Sequence, residues 1–360
     1  MKNNWEETTL NDICKKIFAG GDKPVNFSKI ENKKYSIPVV ANGIENDGLL
    51  GFTDVATVID KAITISARGT IGFVCKRNKP FCPIVRLIVV IPKTDKATID
   101  FLYYLLQTLI PKSNGSSIPQ LTIPNFKYSK IKLPPLQQQK EIVEKLDKAF
   151  ADIDKLTEIA KQNLENSKEL FNSHLNKIFT QNNNNWEEKK FNDCIEKIQY
   201  TAKILKKDFL EYGKYPIISQ EEEYINGYWN NKKDLFKITK PVVIFGDHTK
   251  KIKYVDFDFV LGADGVKILQ PIDEIDTKFF YYTLLNMKIR DLGYARHYKL
   301  LQEKFISFPA SLKEQKQIVK ILDNLQEQTK KLEEIYNKKI ELAKELKQSV
   351  LHKELQPSKV

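Results

Sequence analysis

The sequence predicts an α+β protein in which one plan is used twice. Two similar globular α/β domains are each followed by a long helix, and the two helices pack on each other. Three observations carry this: an internal repeat, short strand signals punctuated by turn residues, and two long apolar stripes of helical period. The repeat has three anchors in the same order. NNWEETTLNDICKKI at 3–17 returns as NNWEEKKFNDCIEKI at 184–198, and FLYYLL at 101–106 returns as FFYYTLL at 279–285. LPPLQQQKEIVEKLD at 133–147 returns as FPASLKEQKQIVKILD at 308–323. The lag stays near 180 residues, from Trp5 to Trp186, Tyr103 to Tyr281 and Leu136 to Leu312.

Each copy opens with a globular region. The strand signals YSIPVVAN, ATVIDKAITIS and RLIVVIP recur as YPIISQ, PVVIFGD, YVDFDFVLGA and GVKILQP. They are short and rich in β-branched and aromatic residues. NDG at 46–48, RGT at 68–70, SNG at 113–115 and ADG at 263–265 mark turns between them. TIDFLYYLLQTLI and its counterpart DTKFFYYTLLNMKI have the apolar spacing of a helix in each domain. Pro134 and Pro135, or Pro309, stand just before the long helices, where proline punctuates without breaking the helix.

The stripe of the first long helix runs Ile142, Leu146, Ala149, Ile153, Leu156, Ala160, Leu164, Ser167, Phe171, Leu175 and Ile178. That of the second runs Ile318, Leu322, Leu325, Thr329, Leu332, Tyr336, Lys339 or Ile340, Ala343, Leu346 and Val350. Steps of three and four alternate, with Lys and Glu on the other faces, as in a coiled-coil seam. A helix of roughly 40 residues is about 60 Å long, and its single stripe needs a partner. The other helix supplies one, although packing of each helix on its own domain would also cover the stripe. If the helices run antiparallel, a pseudo-twofold axis relates the halves. The boundaries expected are 1–136 for the first domain, 137–180 for the central helix, 181–312 for the second domain and 313–360 for the C-terminal helix. QNNNNW at 181–186 is the polar joint.

Composition narrows the class. The 360 residues are 41% hydrophobic and 29% charged, a globular rather than disordered balance. No apolar run approaches the roughly 18 residues of a membrane span, and MKNNWEETTL lacks the apolar core of a signal peptide. A cytoplasmic protein without a membrane partner is expected. Cys14, Cys75, Cys82 and Cys194 show no paired spacing, and His174, His248, His297 and His352 are scattered, so no metal site is expected. The formal charge of +12 suits an anionic partner, yet 53 of the 58 basic residues are lysine, a bias that genome composition also produces. The five arginines, Arg68, Arg77, Arg86, Arg290 and Arg296, are therefore more informative than the total. No GxGxxG, GxxxxGK[ST], [ND]PP[YF], GxSxG or HExxH motif occurs.

Two similar domains held apart suit a ligand with two sites at a fixed interval. Duplex DNA is one, with half-sites about 34 Å apart on one face. At this point the chain resembles the specificity (S) subunit of type I restriction-modification systems over nearly its whole length. The step LPPLQQQKEIV, echoed by SLKEQKQIV, matches that family's PPL-x-x-Q entry into a helix. GGDKP at 20–24 resembles its GGTP-type loop, with Asp-Lys in place of threonine, and ISARGTIG at 65–72 its SRRGTIG-type stretch. IPQLTIPNF at 118–126, VIFGDHTKKIKYVDFDFVLGADGVKIL at 243–269 and ARHYKLLQEKFI at 295–306 match further recognition-domain stretches.

The resemblance implies two target recognition domains and an antiparallel coiled coil. It implies a noncatalytic subunit that binds double-stranded DNA and two methyltransferase subunits, and two restriction subunits where the system cleaves. Each domain would read one half of a bipartite site, and the helices would set the unread spacer. The chain itself would hold no cofactor; S-adenosylmethionine, ATP and Mg²⁺ would sit on the partners.

Candidate DNA contacts follow from loop position and side-chain type. In the first domain they are Lys23, Asn42, Arg68 and Thr70. In the second they are Gln220, Tyr228, Asp247, His248, Thr249, Lys250, Lys251, Arg296, His297, Tyr298 and Lys299. Three of these readings have a plainer alternative: a core salt bridge for Arg68, a solvated turn for 247–251, a structural corner for 295–299. Two other functions compete. A protein-bridging scaffold predicts salt-insensitive DNA affinity, and an enzyme in its own right predicts activity from the chain alone.

Overall fold

The structure, a computed structural model, describes residues 4–110, 121–180, 185–293 and 295–356. The turn signal at 113–115, the start of IPQLTIPNF and most of the polar joint at 181–186 lie outside the described residues. The chain divides into two compact units, Met1–Ala160 with Lys339–Val360, and Lys161–Lys338.

In the first unit, Glu6–Thr9 pairs antiparallel with Lys130–Leu133, which sets the chain's beginning beside the strand that leads into the first long helix. A four-stranded antiparallel sheet has the order Cys14–Ala19, Ile88–Pro92, Ala62–Ile65, Val74–Arg77. A second sheet sets Ile37–Val40 between Leu49–Thr53 and Cys82–Pro83. The run Ile88–Pro92 is buried throughout because both faces are covered. Ile88 and Val90 join the core built on the helix Ile99–Leu109, with Phe101, Leu102 and Leu106, whereas Val89 and Ile91 face Val40, Val58 and Phe81.

The second unit repeats this division. Glu187–Lys190 pairs antiparallel with Phe305–Phe308. Val242–Gly246 is the middle of a three-stranded sheet, between Ile252–Val255 and Val266–Leu269. Val243 and Phe245 pack on Phe279, Phe280 and Leu284 of the helix Thr277–Asn286. Val242 and Ile244 face Ile218, Phe259 and Leu261 on the other side. The remaining sheet joins Lys203–Ile204, Phe259–Gly262, Tyr215–Ile218 and Gly227–Trp229, with Leu235–Phe236 also on Phe259–Gly262.

The long helices span Leu136–Thr180 and Leu312–Glu354. In each unit a glutamine one turn into the helix is fully buried. The Gln139 side chain accepts from the backbone N–H of Thr98, the N-cap of Ile99–Leu109, at 2.8 Å, and donates to Lys96 O and Pro134 O, both at 2.9 Å. Gln315 accepts from the N–H of Asp276, the N-cap of Thr277–Asn286, at 2.7 Å, and donates to Glu274 O at 2.9 Å and Pro309 O at 2.8 Å. Two turns further on, Tyr104 donates to Asp147 at 2.5 Å and Tyr282 to Asp323 at 2.6 Å. Burial first, then the adjacent carboxylate, raises the pKa of both phenols. The repeated motif is thus a clasp that locks each helix to its own domain.

Within the first unit, Ile142 and Leu146 share a core with Leu351 and Leu355, while Asp154, further along, meets Lys347 at 2.5 Å. Numbers rise along one helix as they fall along the other, so the pair is antiparallel. In the second unit Leu175 and Leu322 are buried with Tyr282, flanked by Phe171 and Ile318. Ile153 is buried, and Leu164, Leu325, Leu332, Tyr336 and Val350 are half-buried. Two expected seam residues are not on the seam: Leu156 is 62% exposed and Leu346 48%. The alternation of steps places Thr157, not Leu156, after Ile153, and Lys347, not Leu346, after Ala343; all of Thr157, Lys347 and Ala343 are half-buried. Thr157 returns its hydroxyl to Ile153 O at 2.8 Å, and the Lys347 ammonium lies over the Phe150 ring. Steric period outranks hydrophobicity at both positions.

Cys14, Cys82 and Cys194 are buried free thiols and Cys75 is half-buried. Burial pushes the Cys14 thiol up to about 12 and that of Cys194 to about 11. No helix among the described residues is long and apolar enough to cross a membrane.

Candidate nucleic-acid interface

In both units the strand leaving the central sheet turns into a polar loop, and an amide side chain from the neighbouring sheet holds the turn. In the first unit this amide is Asn42, two residues beyond the strand Ile37–Val40. Its Oδ1 accepts from Ala67 N–H at 2.9 Å and its Nδ2 donates to Val85 O at 2.7 Å. One side chain therefore spans two turns, the ARGT turn after the strand Ala62–Ile65 and the Ile84–Leu87 turn. GGDKP underlies the second turn. Gly21 N–H donates to Pro83 O, while Val85 and Arg86 N–H donate to Gly21 O and Gly20 O at 2.8 and 3.2 Å. A Cβ on Gly20 would lie 2.6 Å from the Pro83 carbonyl carbon, so only glycine lets the loops approach this closely.

Arg68 is exposed on its turn, with no side-chain partner among the described residues. Thr70 is half-buried. Lys23 is exposed, with its ammonium 3.6 Å from the Phe27 ring centroid. Arg77 is committed internally: its guanidinium donates to Thr64 Oγ1 at 3.0 Å and Asp47 O at 2.5 Å.

Gln220 is the second unit's amide, two residues beyond Tyr215–Ile218. Its Oε1 accepts from His248 N–H at 3.1 Å, and its backbone carbonyl accepts from the Thr249 hydroxyl at 2.6 Å. The loop Asp247–Lys251 is thereby fixed. Lys250, in the left-handed region at φ +58°, pairs with Asp291 at 2.8 Å, and Lys251 pairs with Glu222. Beneath the loop, burial lowers the Lys253 ammonium to about 8; it donates to Glu223 O and Asn226 Oδ1.

Three residues expected at the surface are turned inward instead. Asp247 is 4% exposed and His297 is fully buried. Asp247 O accepts from His297 N–H at 2.8 Å and faces its Nδ1 at 3.0 Å, while Asp247 Oδ1 accepts from Tyr298 N–H at 2.8 Å. Leu292 N–H donates to His297 Nε2 at 3.1 Å, so both ring nitrogens are used by the Nδ1–H tautomer. Tyr298 packs between Phe191 and Phe245, with Lys267 over its ring. Side chains this deeply buried and bonded to backbone have little to offer a duplex, so Asp247 and His297 position the ARHYK corner. Arg296 and Lys299 on that corner are exposed and have no side-chain partner among the described residues. Tyr228 is half-buried on the strand Gly227–Trp229, and neighbouring Trp229 donates to Asp234 at 2.8 Å.

The bracket made by Asn42 and Gln220 escaped sequence reasoning, since an amide two residues past a strand has no signature of its own. Only the repeat exposes it, by placing an amide after YSIPVVA and after YPIIS. No group of three or more His, Cys, Asp or Glu among the described residues is arranged to hold a metal ion.

Comparison with known proteins agrees with this architecture. The model of the type I restriction modification DNA specificity domain matches twice, over residues 2–166 and 183–342. The chain belongs to that family and carries two copies of its domain. A Mycoplasma pneumoniae protein named as a type I specificity subunit is 36% identical over 180 residues, 49% of this chain and 53% of that protein. The specificity subunit of the Escherichia coli type I restriction enzyme EcoR124I/EcoR124II is 31% identical over 143 residues, 36% of this chain and 35% of its own. The chain spans about half the length, or less, of these curated relatives. Among solved structures, a chain from a study of complex assembly in a type I R-M system superposes with TM-score 0.76 at 17% identity, covering 99% of this chain and 98% of that one. The HsdS subunit of Thermoanaerobacter tengcongensis gives 0.58 at 16%, covering 99% and 97%. At such identities the likeness is one of fold.

Proposed function

We propose that this chain is the noncatalytic DNA-recognition subunit of a type I restriction-modification complex. The observation that carries the reading is the duplicated loop bracket. Two units of one fold each fix a polar, cation-bearing loop with an amide from the neighbouring sheet, at the same place in the topology. Each unit reads one half of a bipartite DNA site. The helices set the unread spacer and dock two methyltransferase subunits, which supply S-adenosylmethionine chemistry at adenine. Restriction subunits, with ATP and Mg²⁺, add cleavage where present.

The test is to coexpress the chain with a type I methyltransferase subunit in a host free of adenine methylation and map 6-methyladenine by single-molecule sequencing. A split motif with an unread gap, absent without this chain, is expected. Adding one heptad to each helix should lengthen the gap and leave both half-sites unchanged. A methylome without a split motif would sink the reading, and DNA affinity that ignores salt would favour a scaffold.

A further inference from the structure

The Ile84–Leu87 turn holds the first unit's most strained exposed residues. Val85 and Arg86 lie at φ +55° and +58°, the left-handed region. For an L-residue this conformation is unfavourable, and a β-branched residue there is a genuine outlier. Val85 is nevertheless 51% exposed, and Arg86 is exposed with no side-chain partner among the described residues. Neither side chain is held there by packing. The backbone imposes the shape, through Gly20, Gly21 and Asn42.

The second unit serves as an internal control. Its turn in the same place, between the strand parallel to Tyr215–Ile218 and the strand antiparallel to Val242–Gly246, is Ala263–Asp264–Gly265. There the strand register sets Asp264 at the place of Arg86 and Gly265 at that of Leu87, and only Gly265 is left-handed, at φ +74°. The fold thus makes this turn without an arginine. The first unit keeps a costly one, in a chain with 53 lysines for generic positive charge and only five arginines.

Asn42 adds the second point. It holds Ala67 N–H and Val85 O with one side chain, so Arg68 and Arg86 each stand one residue beyond an atom fixed by the same amide. Two unpaired guanidiniums are thereby presented from adjoining rigid turns. Lysine serves a phosphate as a point charge. The planar guanidinium fork, by contrast, matches O6 and N7 of guanine bidentately.

We infer that Arg86 is a specificity-determining residue that, beside Arg68, reads a guanine edge in the half-site of the first unit. This rests on the recognition reading above. The test is selection from a pool of duplexes with randomised sequence, using the full chain with its coexpressed methyltransferase partner, as wild type, Arg86→Lys and Arg86→Gly. Arg86→Lys keeps the charge and loses the fork; Arg86→Gly places at φ +58° the residue that tolerates it and should melt no lower than wild type.

The expected result is that both variants enrich a motif with one half intact and the other relaxed at a G·C pair. Discrimination there should fall by roughly tenfold or more. If Arg86→Lys enriches the wild-type motif undiminished, Arg86 is a phosphate or solvent contact and the inference is overturned, whatever Arg86→Gly does. If both variants match wild type, it is overturned equally. A wild-type complex that enriches no motif overturns the recognition reading and this inference with it.

Discussion

Gln139 and Gln315 show how one residue type at one spacing builds a junction. Each fills three hydrogen bonds with a single buried amide and ties the domain's helix cap to the strand exit. Gln139→Ala would leave Thr98 N–H and the carbonyls of Lys96 and Pro134 without partners, a loss of about 2–4 kcal/mol. Chemical denaturation of the variant should show it, and a loss below about 0.5 kcal/mol would mean water replaces the amide fully. A second test at this scale is pH. The folded-state pKa of Lys253 lies near 8, against 10.5 for a free lysine. Between these values the unfolded chain holds a proton that the folded chain lacks, so the residue's contribution to stability improves as pH rises through that window. Relative to Lys253→Met, the wild type should therefore gain stability from pH 8 to pH 10 in denaturant titrations.

At the scale of elements, the long helices were legible as helices: the first starts directly after Pro135 and ends two residues past Ile178, and the second starts three residues after Pro309 and ends four past Val350. The seam was legible except where an exposed leucine stands directly before the polar residue that occupies the seam. Leu156 and Leu346 outrank Thr157 and Lys347 in hydrophobicity but not in angular position. Leu156→Glu should therefore change stability by less than about 0.5 kcal/mol, whereas Ile153→Ala, one turn away and buried, should cost about 2–4 kcal/mol. Thermal unfolding of both would check the pair, and a large loss from Leu156→Glu would contradict the seam described here. The strands were legible as apolar runs. Their double burial was not, because a run such as IVVIP looks the same whether one sheet face or both are covered.

For the whole molecule, the first unit is assembled from both ends of the chain. Its core takes Leu351 and Leu355 from the C-terminal helix, alongside Ile142 and Leu146. Removing residues from 339 onward should thus loosen the N-terminal domain and spare Lys161–Lys338. Hydrogen exchange should rise first in Ile99–Leu109 and Leu136–Ala160. Faster exchange in the second unit instead would contradict the division.

The duplication, the α+β class, the helix seam and the family resemblance were readable because each rests on local pattern: a repeated string, a period, a proline before a helix. The loops were another matter. Nothing local distinguishes Asp247 and His297, which are buried, from Lys299, which is exposed, since all three are polar residues of loop-like stretches. Their roles depend on which distant backbone groups reach them, Asp247 to Tyr298 and Asn42 to both Ala67 and Val85. The same holds for the left-handed turn at Arg86. Its shape comes from Gly20 and Gly21, more than sixty residues earlier in the chain, and only the folded chain brings them together.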